Sequence, residues 1–108
     1  MGLVSAAKGT QVAVISTEHS LTQQTGIGIY VLVVDSSAML AGDSLTLRIK
    51  TKSQTGASSK IAYEIVHADA QAAPNKYSVP VPVDTEIICT LTQTAGVARS
   101  FPWNLLRA

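Results

Sequence analysis

Three side chains are of the types used for metal binding or nucleophilic catalysis: His19, His67 and Cys89. A zinc site needs three or four nitrogen or sulfur ligands at a recognised spacing, and these residues lie far apart in the sequence. His67 continues the alternation of an apolar strand, which places it at the end of an inward face. Cys89 shares parity with Ile87 and Leu91, which is typical of a buried small apolar residue and not of a reactive thiol. We therefore expect no metal site and no catalytic residue.

The acidic residues at predicted strand ends are Asp35, Asp43, Asp69 and Asp84. They lack the Asp-x-Asp-x-Asp run of a calcium loop, so we expect them to cap turns. The sequence also contains no Gly-x-Ser-x-Gly elbow, phosphate-binding loop or dinucleotide fingerprint. These observations predict a protein that is not an enzyme and that binds no cofactor.

Four basic residues form a ribbon. Arg48, Lys50 and Lys52 share the outward parity of one predicted strand, and Lys60 begins its hairpin partner. A basic ribbon can bind phosphates. However, no aromatic residue is interleaved for base stacking and the formal net charge is only +1, so nucleic acid is not an expected partner. The ribbon is either a solvated, edge-protecting face or an electrostatic contact with another protein.

Two aromatic residues near the C-terminus lie on alternate positions of a predicted strand, on the side that faces inward. Phe101 and Trp103 share parity with Val97 and Leu105, and Tyr63 lies on the inward parity of its own strand. This predicts that Tyr63, Phe101 and Trp103 are core anchors, although exposed aromatic residues could instead form a platform for sugar rings. If Trp103 is in the core, its replacement by alanine should destabilise the fold by about 3–5 kcal/mol.

Apolar residues recur with a period of two along most of the chain, as in half-buried β-strands. Residues 27–34 are apolar on both parities, which predicts a central strand covered by a second sheet on one side and by a neighbouring subunit on the other. Pro80 and Pro82 cannot donate backbone hydrogen bonds, so residues 76–83 should form an edge strand. The pattern predicts one all-β domain over residues 1–108, an antiparallel, jelly-roll-like β-sandwich of seven or eight strands.

The composition fits one domain that is made in a reducing compartment and associates with other proteins. Of the 108 residues, 46% are hydrophobic and only 14% are charged, whereas charged residues make up about 25% of typical soluble domains. A single cysteine allows no intrachain disulfide, and we expect neither a signal peptide nor a membrane span. The apolar start, with Leu3 and Val4, predicts that residues 1–9 form an arm that docks on a shell or a sister subunit.

Two stretches of the sequence resemble a pattern found in small virion structural proteins of tailed bacteriophages. Residues 28–43 read GIYVLVVDSSAMLAGD, and residues 45–52 continue as LTLRIKTK. Residues 91–107 read LTQTAGVARSFPWNLLR. The similarity runs from about residue 26 to residue 107.

The resemblance implies a non-enzymatic virion component that is made in the host cytoplasm. Its implied role is that of a capsid decoration, or cement, protein, which binds the shell of major capsid protein as a homo-oligomer such as a trimer. A tail- or fibre-associated β-module and a carbohydrate-binding, adhesin-like module stay open as alternatives. Neither nucleic acid nor a membrane is an expected partner. The candidate contacts with virion partners are Leu3, Val4, Arg48, Lys50, Lys52 and Lys60.

Overall fold

The computed structural model describes residues 3–108 as nine β-strands, and these residues contain no helix. All strand pairings are antiparallel. The predicted all-β antiparallel fold is therefore confirmed. The strands are β1 (Val4–Val12), β2 (Glu18–Thr25), β3 (Gly28–Asp35), β4 (Ser44–Thr51), β5 (Lys60–Ala68), β6 (Asn75–Tyr77), β7 (Val81–Val83), β8 (Glu86–Ala95) and β9 (Ser100–Arg107).

Two sheets form the layers of the sandwich. The first sheet has the order β1-β9-β3-β6, and β7 also pairs with β3. The second sheet has the order β2-β8-β4-β5. When β6 and β7 are counted as one interrupted strand, this is the strand order of a jelly roll. The topology thus brings the two ends of the chain, β1 and β9, together as neighbours.

The edge strand predicted over residues 76–83 is interrupted in its middle, which gives nine strands instead of seven or eight. The Leu32 N–H donates to the Ser78 hydroxyl at 2.9 Å, and the Ser78 N–H donates to the Leu32 carbonyl at 2.8 Å. The Ser78 side chain therefore satisfies a backbone donor of β3 where regular pairing stops. Pro80 and Pro82, which follow, have no N–H to offer to a further strand.

Residues 1–9 were expected to form an arm that docks on a shell or a sister subunit, but the described part from Val4 onward pairs within its own chain. Strand β1 begins at Val4 and pairs with β9 from Val4↔Arg107 to Val12↔Ser100. Without β1, the outer backbone groups of β9 would be unpaired along most of its length, which explains why this segment joins the sheet. Met1 and Gly2 lie outside the described residues.

The core lies between the two sheets and takes side chains from both. Cys89 is fully buried within the core. It points inward, as do Ile87 and Leu91, which lie two residues before and after it on β8. The largest fully buried apolar side chains are those of Tyr30, Phe101, Leu32, Met39, Leu45, Ile49, Ile87, Leu91, Leu105 and Val34.

The three predicted core anchors are buried to different degrees. Phe101 is fully buried, whereas Tyr63 and Trp103 are partly buried and pack against the core from its margin. The Trp103 ring lies against Gly9 of β1, since a Cβ atom added at Gly9 would be 3.3 Å from the ring. Trp103 therefore covers the core between β9 and β1 and does not fill its centre.

This difference predicts that Phe101→Ala is more damaging than Trp103→Ala. Removing the Phe101 ring leaves a cavity that the closed core cannot fill, and should cost about 3–5 kcal/mol. Trp103→Ala should cost less, because part of that ring is already in contact with water. Urea unfolding of both variants, followed by circular dichroism, measures the two losses. Equal losses, or a larger loss for Trp103→Ala, would contradict the assignment.

Candidate functional site

The residues 3–108 contain no group of three or more His, Cys, Asp or Glu side chains that could hold a metal ion. Burial raises the pKa of the Cys89 thiol to about 12. His19 is engaged locally, since its Nε2 accepts a hydrogen bond from the Val14 N–H at 2.9 Å. No helix in this part of the chain is long and apolar enough to cross a membrane. The features that distinguish the molecule are its two outer sheet faces and one end of the sandwich.

The outer face of the second sheet carries charged side chains that are paired across strands, and it also exposes Ile61 and Val66 of β5. Glu18 on β2 accepts a hydrogen bond from the Thr90 hydroxyl at 2.7 Å, and its Oε2 lies 3.1 Å from Lys50 Nζ and 3.4 Å from Arg48 Nη1. Arg48 also binds Glu64 of β5 through its Nε. We call this surface the ion-paired face; its charged residues are Glu18, Arg48, Lys50, Lys52, Glu64 and Glu86.

The same face continues toward the far end of β4. Lys52 Nζ lies 2.7 Å from Glu86 Oε1, and Gln23 donates to the other carboxylate oxygen at 2.8 Å. The Thr90 hydroxyl, followed by Lys50, holds the pKa of Glu18 below its usual value. Lys52 similarly lowers the pKa of Glu86. Both carboxylates are thus stabilised in their charged form.

The structure therefore places three of the four predicted basic contacts inside intramolecular ion pairs. Arg48, Lys50 and Lys52 are each matched by a carboxylate, so the ribbon is not an unbalanced positive surface. Lys60, at the start of β5, is exposed and forms no ion pair within residues 3–108. Sequence spacing could not reveal the partners, because Glu18 and Glu86 come from strands distant in the sequence.

The outer face of the first sheet has an apolar patch around β3, and polar side chains lie beside it on β1 and β9. On β3, Tyr30, Leu32 and Val34 point into the core, and the alternate residues point outward. The outward residues meet apolar neighbours in three pairs across the sheet. We call this surface the apolar face; it consists of the pairs Ile29↔Pro82, Val31↔Leu106 and Val33↔Tyr77.

Charge on this side of the first sheet is sparse. By strand parity, Lys8 on β1 and Asp35 at the end of β3 are its charged residues among those described, and Ser5, Thr10, Ser100 and Asn104 are polar neighbours of the apolar face. Ile29 is 48% exposed and Tyr77 is 64% exposed. The sequence predicted that β3 would be apolar on both faces, and in the single chain only the inner face is covered. Leu3 and Val4, two further candidate contacts, are exposed at 55% and 62% at the start of β1.

At one end of the sandwich, a buried carboxylate joins the turn before β4 to the turn between β8 and β9. Asp43 is only 2% exposed, and its Oδ2 accepts hydrogen bonds from the Leu40 N–H and from Arg99 Nε, each at 2.9 Å. Its Oδ1 accepts from the Val97 N–H at 3.2 Å. The Leu40 N–H, assisted by Arg99, lowers the pKa of Asp43. Asp43 thus caps its own turn, as predicted from its position, and also binds the β8–β9 turn.

Gln93 completes this end. Its amide donates to the Val97 carbonyl at 2.7 Å and to the Ala95 carbonyl at 3.1 Å, and it accepts from the Arg99 N–H at 3.0 Å. Asp43, Gln93, Gly96 and Arg99 form what we call the Asp43 cluster. The Asp43 cluster holds the turns before β4 and between β8 and β9 in place.

Gly96 is predicted to be indispensable to the Asp43 cluster. It has φ +91°, and a Cβ atom there would lie 2.8 Å from the Asp43 Cα. Gly96→Ala should therefore cause both backbone strain and a collision, and should lower the melting temperature by more than about 10 °C. Gly56→Ala is the matched control, because Gly56 has φ +89° with nothing within 4 Å. A similar loss in both variants would mean that the contact with Asp43 is unimportant.

The ion-paired face predicts a particular dependence on pH. Glu18 and Glu86 have lowered pKa values, so their stabilisation is present above about pH 4.5 and is lost as the pH falls through the folded-state values. Replacing Arg48, Lys50 and Lys52 with threonine should lower the melting temperature at pH 7 by a few degrees, about as expected for partly exposed pairs. The acid-induced decrease should become shallower.

Melting curves from pH 7 to about pH 3, at low and high salt, check this prediction. Lys60→Thr is the control, since Lys60 lacks an ion pair in the described structure, and its pH profile should match that of the parent. A triple variant that shows the parent's full acid dependence would mean that the pairs contribute nothing.

No family model, no curated protein and no solved structure matches the chain. The likeness of residues 28–52 and 91–107 to tailed-phage virion proteins therefore stays an expectation from those motifs.

Proposed function

We propose that this chain is a non-enzymatic virion structural protein, which decorates the shell of major capsid protein in a tailed bacteriophage. The observation that carries the proposal is the inequality of its two outer faces. The ion-paired face neutralises its own charges and is suited to water. The apolar face presents Ile29, Val31 and Leu106 without comparable charge.

An uncovered apolar sheet face is a feature of subunits and not of free monomers. Soluble monomers rarely expose contiguous apolar patches beyond a few hundred square ångströms, and larger ones mark association sites. A protein that is added to a shell in many copies spends its working life in contact with other subunits. Its apolar surface is therefore covered where it functions.

The fold supports a virion role by analogy only. Jelly rolls occur in viral capsid domains and also in lectin domains, so topology alone favours neither. The aromatic residues weigh against sugar binding, because stacking platforms need exposed rings. Tyr30 and Phe101 are fully buried, and Trp103 is partly buried against Gly9. Tyr77 is the one aromatic side chain among residues 3–108 with more than half of its surface exposed.

The proposed contacts with the shell are exposed residues at the beginnings of strands, together with cations of the ion-paired face. Leu3 and Val4 are exposed where β1 begins, and Lys60 is exposed at the start of β5. Arg48, Lys50 and Lys52 can take part only by sharing or exchanging their intramolecular carboxylates. The proposed partner is the major capsid protein, and the proposed location is the outer surface of the virion.

Copy number per particle tests this function. Quantitative mass spectrometry of virions from the phage that encodes the chain should find hundreds of copies, and the purified protein should bind saturably to heads that lack it. Six or twelve copies would instead indicate a vertex or tail component. Absence from particles, or binding to glycans without binding to heads, would overturn the proposal.

A further inference from the structure

We propose that the open margin of the sandwich, between β5 and β6, binds a carboxylate group through His67 and Lys76. The carboxylate belongs either to a small ligand or to an acidic side chain of a partner protein. The inference goes beyond the decoration role and does not depend on it, because the site can be tested on the purified protein. Three observations support it: the placement of the two basic side chains, the lack of an acid beside them, and the size of the space that they line.

The two basic side chains come from the edge strands of opposite sheets. His67 on β5 pairs with Leu45, and Lys76 on β6 pairs with Val34; both of these partners are fully buried. His67 and Lys76 therefore point inward, and both line the same cavity. The other walls of the cavity are Leu32, Leu47, Tyr63, Ile65, Tyr77 and Ser78.

Lys76 has no carboxylate partner, although it is partly buried. Among residues 3–108, five lysine and arginine residues are partly buried, and Lys76 is the one that forms no ion pair. The other four are Arg48, Lys50, Lys52 and Arg99. A bound carboxylate would give Lys76 the kind of partner that each of the other four already has.

The acids that lie near the two bases along the chain are engaged elsewhere. Asp69, two residues after His67, accepts a hydrogen bond from the Gly42 N–H at 2.8 Å. Asp35, whose strand pairs with β6, points outward from the first sheet and accepts from the Ser37 N–H at 2.9 Å. The strands β3 and β4 contribute only leucine side chains to the cavity, so its basic pair faces no counterion from the same chain.

Protonation of His67 is coupled to the occupancy of the cavity. Burial lowers the pKa of His67, and the positive charge of Lys76 lowers it further. A protonated His67 would face a second cation between apolar walls, which is an unfavourable arrangement. An anion placed between the two bases would be attracted by both. Carboxylate binding and protonation of His67 should therefore strengthen each other.

The cavity is narrow, which restricts the kind of anion that fits. Its volume is about 10 Å³, which is about the space needed for one water-sized group. One oxygen of a planar carboxylate can occupy this space while the rest of the group stays at the mouth. The tetrahedral head of a phosphate or a sulfate is wider, and a sugar ring is far larger.

Proton NMR titration of the two histidines tests the site, with chloride exchanged for acetate at constant ionic strength. Acetate should bind saturably, with a dissociation constant on the order of 10 mM. It should raise the pKa of His67 by about 1, which corresponds to a roughly tenfold preference for the protonated form. His19 is the internal control, because its Nε2 accepts from the Val14 N–H and it does not line the cavity. A His67→Gln variant identifies which signal belongs to which histidine.

Lys76→Met separates a carboxylate site from a general response to acetate. Methionine keeps an apolar stem and removes the charge, so acetate binding should weaken by about tenfold or more. The pKa of His67 without acetate should rise above that of the parent, because the facing cation is gone. Lys60→Met is the matched control: Lys60 also lacks an ion pair among the described residues, but it lies at the other end of β5.

The inference is overturned if acetate leaves the pKa of His67 unchanged in the parent, or if Lys76→Met responds to acetate as the parent does. Lys76→Gln provides the same test if the methionine variant does not fold. Lys60→Met should bind acetate with the affinity of the parent, and an equal loss in this variant would also contradict the assignment.

Binding to phage heads distinguishes the two sources of the carboxylate. If the group is an acidic side chain of a virion partner, Lys76→Met should reduce saturable binding to heads, and acetate should compete with that binding. If it is a small ligand, neither change should alter binding to heads. Acetate binding by a protein that does not bind heads would refute the proposed function and leave this site intact. Binding to heads without any response of His67 to acetate would do the reverse.

Discussion

The geometry of the sandwich depends on the hydrogen bonds that the Asp43 carboxylate accepts. Asp43 precedes β4 of the second sheet and binds the turn that leads into β9 of the first. A buried charge is tolerated only when it is fully hydrogen-bonded, and here two backbone N–H groups and a guanidinium provide that. The turn must approach closely enough to donate, which requires Gly96. One carboxylate therefore determines how the two sheets meet at this end.

The positions of the other charges follow from what each sheet contacts. The core removes the centres of the inner faces from water, so ionisable groups lie on the outer parity or near strand ends, as His67 and Lys76 do. The second sheet uses this parity for carboxylates and cations on neighbouring strands, and Glu18 lies between Lys50 and Arg48. The first sheet places Ile29, Val31 and Val33 on this parity of β3 and has fewer charges there. The two outer surfaces thus differ mainly in their content of ion pairs.

Much of the fold could be predicted from period-two alternation, because each strand's inward residues must be apolar. Tertiary relationships were harder to predict. Val97 shares the parity of Phe101, but it lies in a turn where parity has no meaning, and it is 65% exposed. The N-terminal segment is rich in small residues and has no clear alternation to identify it as a strand, and it joins the sheet because β9 needs a partner. The acids that neutralise Arg48 and Lys52 lie on strands that only the folded chain brings near.

The edges of the two sheets limit how readily this chain can polymerise by adding strands from neighbouring molecules. The β6–β7 edge is interrupted at Ser78, and each of the other three edge strands carries one extra residue: Ala6 in β1, Leu21 in β2 and Ala62 in β5. Extra residues of this kind bend an edge and break its hydrogen-bonding register, so a neighbouring molecule cannot continue the sheet as in a fibril. At high concentration, the irregular edges of this chain therefore disfavour amyloid-like growth by strand addition, and contacts between molecules are left to the faces of the sheets.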